Sequence, residues 1–193
     1  MAWAKNGTPV TLGSAATGMD ISDISSSIFN VVLTHGIDVT SDCAPRMRFN
    51  TASGSVYSRR YSDNGGADGT AVSQTYQYWY AGSSVGNLFE IAYVIGIAGE
   101  EKLSIVFNAW GSTAGAGTAP DRTEVVSKWA ETSSSITSFN VDSGGTYWDT
   151  DSNISALGSD LTPAAGTSAT ISDGAVFYET DTNKSYVLYN GSW

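Results

Sequence analysis

The sequence predicts an all-β fold: an antiparallel β-sandwich, jelly-roll-like, with a C-terminal β-hairpin. Three observations carry this. About nine short β-rich runs recur with turn residues between them, the spacing of sandwich strands. No long segment places apolar residues at i, i+3, i+4 and i+7 behind a cap, so helical signals are nearly absent. Ser (28), Thr (20) and Gly (21) are abundant in a chain of 193 residues, a composition suited to strands joined by tight turns.

The runs follow in order. Ile28 to His35 puts Phe29, Val31 and Leu33 on one face. Pro45 to Asn50 sets Met47 and Phe49 against Arg46 and Arg48. Tyr57 to Tyr61 follows a Ser53-Gly54 turn, and Thr70 to Tyr80 alternates from Gln74, with Tyr76, Tyr78 and Tyr80 opposite Gln77 and Trp79. Leu88 to Ile97 is almost wholly apolar and reads as a strand buried on both faces. Leu103–Trp110, Glu124–Trp129, Ser135–Val141 and Asn153–Leu157 complete the set. Val125 and Val126 weigh against a helix near Glu124. The clearest loops are 62–69, 111–117 and 143–145, each rich in Gly, Asn, Asp or Ser.

Composition shifts near Gly158, which divides the chain into a sandwich domain over 1–160, a small-residue linker over 161–172 and a hairpin module over 173–193. In the module, Ala175–Tyr178 and Ser185–Tyr189 flank an Asp/Thr/Asn turn at 180–183. Twenty residues form no core alone, so its aromatics, Phe177, Tyr178, Tyr186, Tyr189 and Trp193, are expected to anchor on a receiving surface. Trp3 tips the other end and is expected to be pinned by a contact as well.

Charge and chemistry exclude several functions. Nine Lys and Arg stand against 19 Asp and Glu, a net charge of −10, which disfavours nucleic acid and an anionic membrane surface. One Cys forbids an intrachain disulfide framework, and one His forbids a multi-His zinc site. A hydrolase would rest on His35 alone, and the chain has no Gly-x-Ser-x-Gly elbow. A glycosidase pair would have to be built from Glu90 and Glu124, held roughly 5 to 10 Å apart. Asp149-Thr-Asp151-Ser-Asn153 with Asp160 begins like a calcium loop, but Ile154 stands where the sharp turn needs glycine; Asp63, Asn64 and Asp68 form a second oxygen-rich loop. Asp and Asn are common in turns for their own backbone bonds, so no metal, cofactor or catalytic residue is expected. Exposed Trp and Tyr could stack on sugars, but alternating strand aromatics more often fill a core or a subunit contact. No apolar run reaches the roughly 18 residues of a membrane span, and the start lacks the apolar stretch of a signal peptide. The chain is expected to stay in the cytoplasm or leave it within a particle.

The terminal stretch Gly174-Ala-Val-Phe-Tyr-Glu-Thr-Asp-Thr-Asn-Lys-Ser-Tyr-Val-Leu-Tyr-Asn-Gly-Ser-Trp193 resembles a short ending of many tailed-phage structural proteins, with the pattern Gly-x3-Tyr-x-Thr-Asp-Thr-x-Lys-x-Tyr and a Gly-x-Trp close. Stretches such as 48–61, 98–103, 113–122 and 126–129 resemble phage and prophage virion proteins with a sandwich-like domain. The resemblance implies a non-enzymatic virion protein assembled in the host cytoplasm. Its short length suits a capsid decoration (cement) protein on the outside of the particle; the alternative is a tail or tail-fibre module binding a host surface glycan. The partners implied are capsid or tail proteins and further copies of the chain, with a trimer as the count.

Overall fold

A computed structural model describes residues 3–25, 28–37, 45–78, 86–111, 113–145 and 147–160, and the backbone alone of 176–179 and 184–187. Every strand pair is antiparallel, and no helix occurs among the described residues. The chain divides into two compact units, Met1–Leu161 and Thr162–Trp193.

In the first unit a large sheet is built from β1 (Ala4–Lys5), β2 (Val10–Thr11), β4 (Phe29–Ile37), β6 (Tyr57–Asp63), β7 (Gly69–Gln74), β9 (Asn87–Ile95), β10 (Lys102–Gly111), β11 (Asp121–Trp129) and β13 (Asn153–Ser159). Its order is β1-β13-β4-β9-β10-β11-β6-β7, with β2 also paired to β13. A smaller sheet, β3-β12-β5-β8, comes from β3 (Gly18–Ile21), β5 (Arg46–Phe49), β8 (Gln77–Tyr78) and β12 (Phe139–Asp142). The order does not carry the finer jelly-roll expectation, because β9, β10 and β11 run as a meander within one sheet.

The small sheet packs on one face of the large one. Met19, Ile21, Met47, Phe49, Phe139 and Val141 from the small sheet meet Val32, Val94, Val106, Val125 and Trp129 from the large one. Phe49 sits edge-on to Tyr57, Trp129 and Phe139, with centroids 6.3, 5.7 and 5.6 Å away, the offset geometry that aromatic quadrupoles favour. Arg46 and Arg48 lie on the other face of β5. They stack over Tyr76 at 4.8 and 5.7 Å and pair with Asp142, so the alternation expected for 45–50 is the one observed.

Several expectations need correcting. The run 70–80 is not one strand, since β7 ends at Gln74 and β8 begins at Gln77. Of the run 135–141, only Phe139 onward is strand. Leu88 to Ile97 is not buried on both faces: in β9 exposure alternates, with Leu88, Glu90, Ala92 and Val94 inward and Phe89 and Tyr93 outward. The sandwich has only two layers, so each strand has one covered face.

In the second unit β14 (Val176–Glu179) and β15 (Lys184–Val187) pair antiparallel, with Phe177 opposite Tyr186 and Tyr178 opposite Ser185. The turn expected at 180–183, and Tyr189 and Trp193, lie outside the described residues.

Candidate functional site

Both faces of the large sheet carry apolar side chains, the inward ones including Val32, Leu88, Val94, Val106, Val125 and Trp129. Its inward face carries a buried polar row: Thr34, Glu90, Asn108 and Thr123 are register partners across β4, β9, β10 and β11. A second inward row holds Asn30, Ser104 and Ser127; Ser104 shares a 2.7 Å hydrogen bond with Ser127 and donates to Gln77 Oε1 at 3.0 Å. Lys102 is also fully buried, and its ammonium donates to the Glu100 and Glu131 carbonyls at 2.8 and 2.9 Å.

The outward face is apolar. One register row runs Leu157, Val31, Tyr93, Ile105, Val126. The next on one side runs Phe29, Ile95, Leu103, and on the other Leu33, Ile91, Phe107. Phe89 and Leu103 are each 53% exposed, and Tyr93, Ile105, Phe107 and Val126 are exposed as well. An open groove of about 570 Å³ crosses one end of this face, with Trp3, Phe29, Tyr93, Leu103, Ile105 and Val126 along it. Three ion pairs lie along one margin of the face, Arg122 with Glu124 at 2.7 Å, Lys128 with Glu101 at 2.8 Å and Arg60 with Asp68 at 3.3 Å, and the exposed Lys5 stands beside Leu157 at the opposite margin.

The catalytic candidates do not converge. Glu90 and Glu124 flank β10 on opposite faces: Glu90 opposes Asn108 inside, whereas Glu124 opposes Phe107 outside. Two carboxylates on opposite faces of one sheet cannot flank a single glycosidic bond. Glu90 is almost wholly inaccessible, and neither of its oxygens has a hydrogen-bond partner among the described residues. Burial pushes its carboxyl well above the usual range. His35 stands half-buried on β4 beside Asn153 at 3.5 Å.

Nor do the oxygen-rich loops gather. Asp160 follows the last residue of β13 and accepts the Ile28 amide at 3.1 Å, whereas Asp149, Asp151 and Asn153 lie at the strand's start. At about 3.3 Å per residue, the strand separates them by roughly 20 Å. Asp63 accepts from Thr123, Asn64 bonds Asp121 and the Arg122 amide, and Asp68 pairs with Arg60. Among the described residues no group of three His, Cys, Asp or Glu could hold a metal ion.

Of the expected contact residues, Trp3 joins the apolar groove, half-exposed at 48%. Phe177, Tyr178 and Tyr186 fall on the paired β14 and β15. Trp110, Trp129 and Trp148 are core residues and Tyr76 is stacked under arginines; the side chain of Tyr78 and all of Trp79 and Tyr80 lie outside what is described. The outward set Tyr93, Ile105 and Phe107 went unrecognised in the sequence as a surface. The alternation of Leu103, Ile105 and Phe107 with Ser104 and Asn108 in the expected strand 103–110 was the available signal of an apolar face. Val106 and Trp110, on the Ser104 side, are the residues that face the core. No protein-family model, curated protein or solved structure matches this chain.

Proposed function

We propose that this chain is a non-enzymatic structural protein of a tailed-phage particle, a decoration protein carried on the outside of the capsid. The observation that supports it most is the wide apolar outer face of an otherwise hydroxyl-rich sandwich. Contiguous apolar patches beyond a few hundred Å² mark interaction surfaces on soluble proteins. The terminal pattern at 174–193 and the body stretches point the same way, since both resemble virion components. Glu90 and Glu124, placed on opposite faces, argue against a glycan-cleaving role.

Cryo-EM of particles made with and without the protein tests this. Density that disappears from the outer shell surface in the deleted particle is the expected result. Density lost from the tail, or unchanged particles, would overturn the capsid assignment. A second reading, a tail or fibre module that binds host glycan, draws on the half-exposed Trp3 and Tyr93 along one groove, since such rings stack on sugars. Glycan-array binding lost in Trp3→Ala would favour it.

A further inference from the structure

We propose that β7, the open edge of the large sheet, pairs with β7 of a second copy of this chain, antiparallel about a two-fold axis through Ala71, so that the two large sheets run on into one. This concerns the edge of the sheet, not its apolar outer face, and it does not rest on the virion reading.

The main chain of β7 is directed for such a pairing. The Ala130 amide donates to the Val56 carbonyl at 2.9 Å and the Asn64 amide to the Arg122 carbonyl at 2.9 Å, so the even-numbered residues of β6 bond β11. Arg59 and Tyr61 therefore face β7, where they oppose Ala71 and Gly69. Thr70 and Val72 then turn their N–H and C=O away from β6, to the open edge. The Val72 carbonyl is accordingly off the ladder and accepts its own Gln74 Nε2 at 2.8 Å. With the axis at Ala71, Thr70 of each copy lies opposite Val72 of the other, the hydrogen-bonded position of an antiparallel ladder.

Sheet edges are normally blunted by shortness, charge or proline. Elsewhere in the first unit this holds: β1, β2 and β8 have two residues each, and β3 carries Asp20. β7 reads Gly-Thr-Ala-Val-Ser-Gln over 69–74, with no charge and no proline, and its Val72 is 71% exposed. The strand leaves register only past Val72, where Ser73 takes a φ of 53°. The pairing uses no residue beyond that point.

The charges select the occupant. At the β6–β7 turn, Asp63, Asp68, Asp121 and Glu124 outnumber Arg60 and Arg122, and Asn64 ties the turn to Asp121 at 2.8 Å. Past the other end of β7, Arg46, Arg48 and Arg59 lie within 6.0 Å of the Tyr76 ring and outnumber Asp142. Among the described residues, the excess is negative at one end of the strand and positive at the other. An antiparallel copy sets each acidic turn beside the arginines of its partner. A parallel copy sets like beside like, and a strand of one charge sign is repelled at one end. An edge accepts one strand, so the pair replaces the trimer that the resemblance implies.

Sedimentation equilibrium of the full chain from about 10 to about 500 micromolar tests this, with amide exchange read residue by residue. The expected mass rises toward two chains, and exchange at Thr70 and Val72 slows at least about tenfold over that range. Raising salt from about 0.05 to about 0.5 M weakens the pair. Val72→Pro removes an outward N–H and leaves the bonds to β6, which continued protection of the Ala71 amide verifies. Val72→Lys places the usual edge charge on an exposed side chain without touching the backbone. Both variants are expected to sediment as one chain. A wild-type mass of one or three chains at every concentration would overturn the proposal, as would pairing that survives both variants, a salt-independent affinity, or exchange at Thr70 and Val72 that ignores concentration.

Discussion

Gly36 shows how tightly single positions of the sandwich are set. A Cβ there would lie 2.2 Å from the Trp148 ring. That ring is fully buried, and its backbone exchanges 2.8 and 2.9 Å bonds with Ala16, so it has nowhere to withdraw. Gly36→Ala should destabilise the protein by about 1 to 3 kcal/mol, the usual penalty for overpacking, read as a lower urea midpoint. An unchanged midpoint would mean the ring yields. Glu90 makes the opposite prediction. Its register partners Thr34 and Asn108 carry no charge to compensate a carboxylate, and burial pushes its carboxyl well above the usual range. With its folded pKa raised, its contribution to stability is fully present below the titration of an unfolded carboxyl. That contribution declines as pH rises toward the folded value, by up to about 1.4 kcal/mol per unit. Glu90→Gln abolishes this slope. Its stability relative to wild type should therefore rise as pH climbs above about 4, where an unfolded carboxyl titrates. A constant or shrinking difference would show that Glu90 is ionised in the fold.

Among the elements, the second unit carries the sharpest prediction. Among the described residues every member of the buried core lies between Met19 and Ala156, so the first unit has its own core. Deleting 162–193 should leave its melting temperature within about 2 °C of the full chain while, on the proposed virion role, weakening attachment to the particle. The attachment effect follows from the aromatics Phe177, Tyr178, Tyr186, Tyr189 and Trp193, which two short strands cannot bury by themselves. Calorimetry and co-sedimentation with particles measure the two parts; unaltered particle binding would make the unit dispensable. How much of this was legible in the sequence depends on element length. Strands of seven or more residues, such as β4, β10 and β13, stood out by alternation or by apolar runs. The two-residue β1 and β2 held too few side chains for any period to register. β9 was recognised as a strand but its exposure was misread. An apolar run declares that both faces avoid water without saying which molecule covers them. The candidate site was hidden for the same reason: Tyr93 fell in the run read as buried on both faces, Ile105 and Phe107 were assigned no face, and only the sheet order puts all three outside.

At the scale of the whole molecule, the proposed function makes the apolar outer face an assembly surface, while the inward face combines the apolar core with a few buried polar residues such as Thr34, Glu90 and Asn108. In that assembly the large sheet has both faces covered, one by the small sheet and one by a partner. Hydroxyl-radical footprinting of the native full chain tests this most directly, because Phe89, Leu103 and Tyr147 are all 53% exposed in the single chain. Tyr147 lies outside the large sheet, in the loop before Trp148, and serves as the internal reference. The account predicts that Phe89 is labelled far more slowly than Tyr147 in wild type, and that Ile105→Lys restores it to the reference rate. Equal labelling of Phe89 and Tyr147 in the wild-type chain, at concentrations where particles assemble, would contradict it.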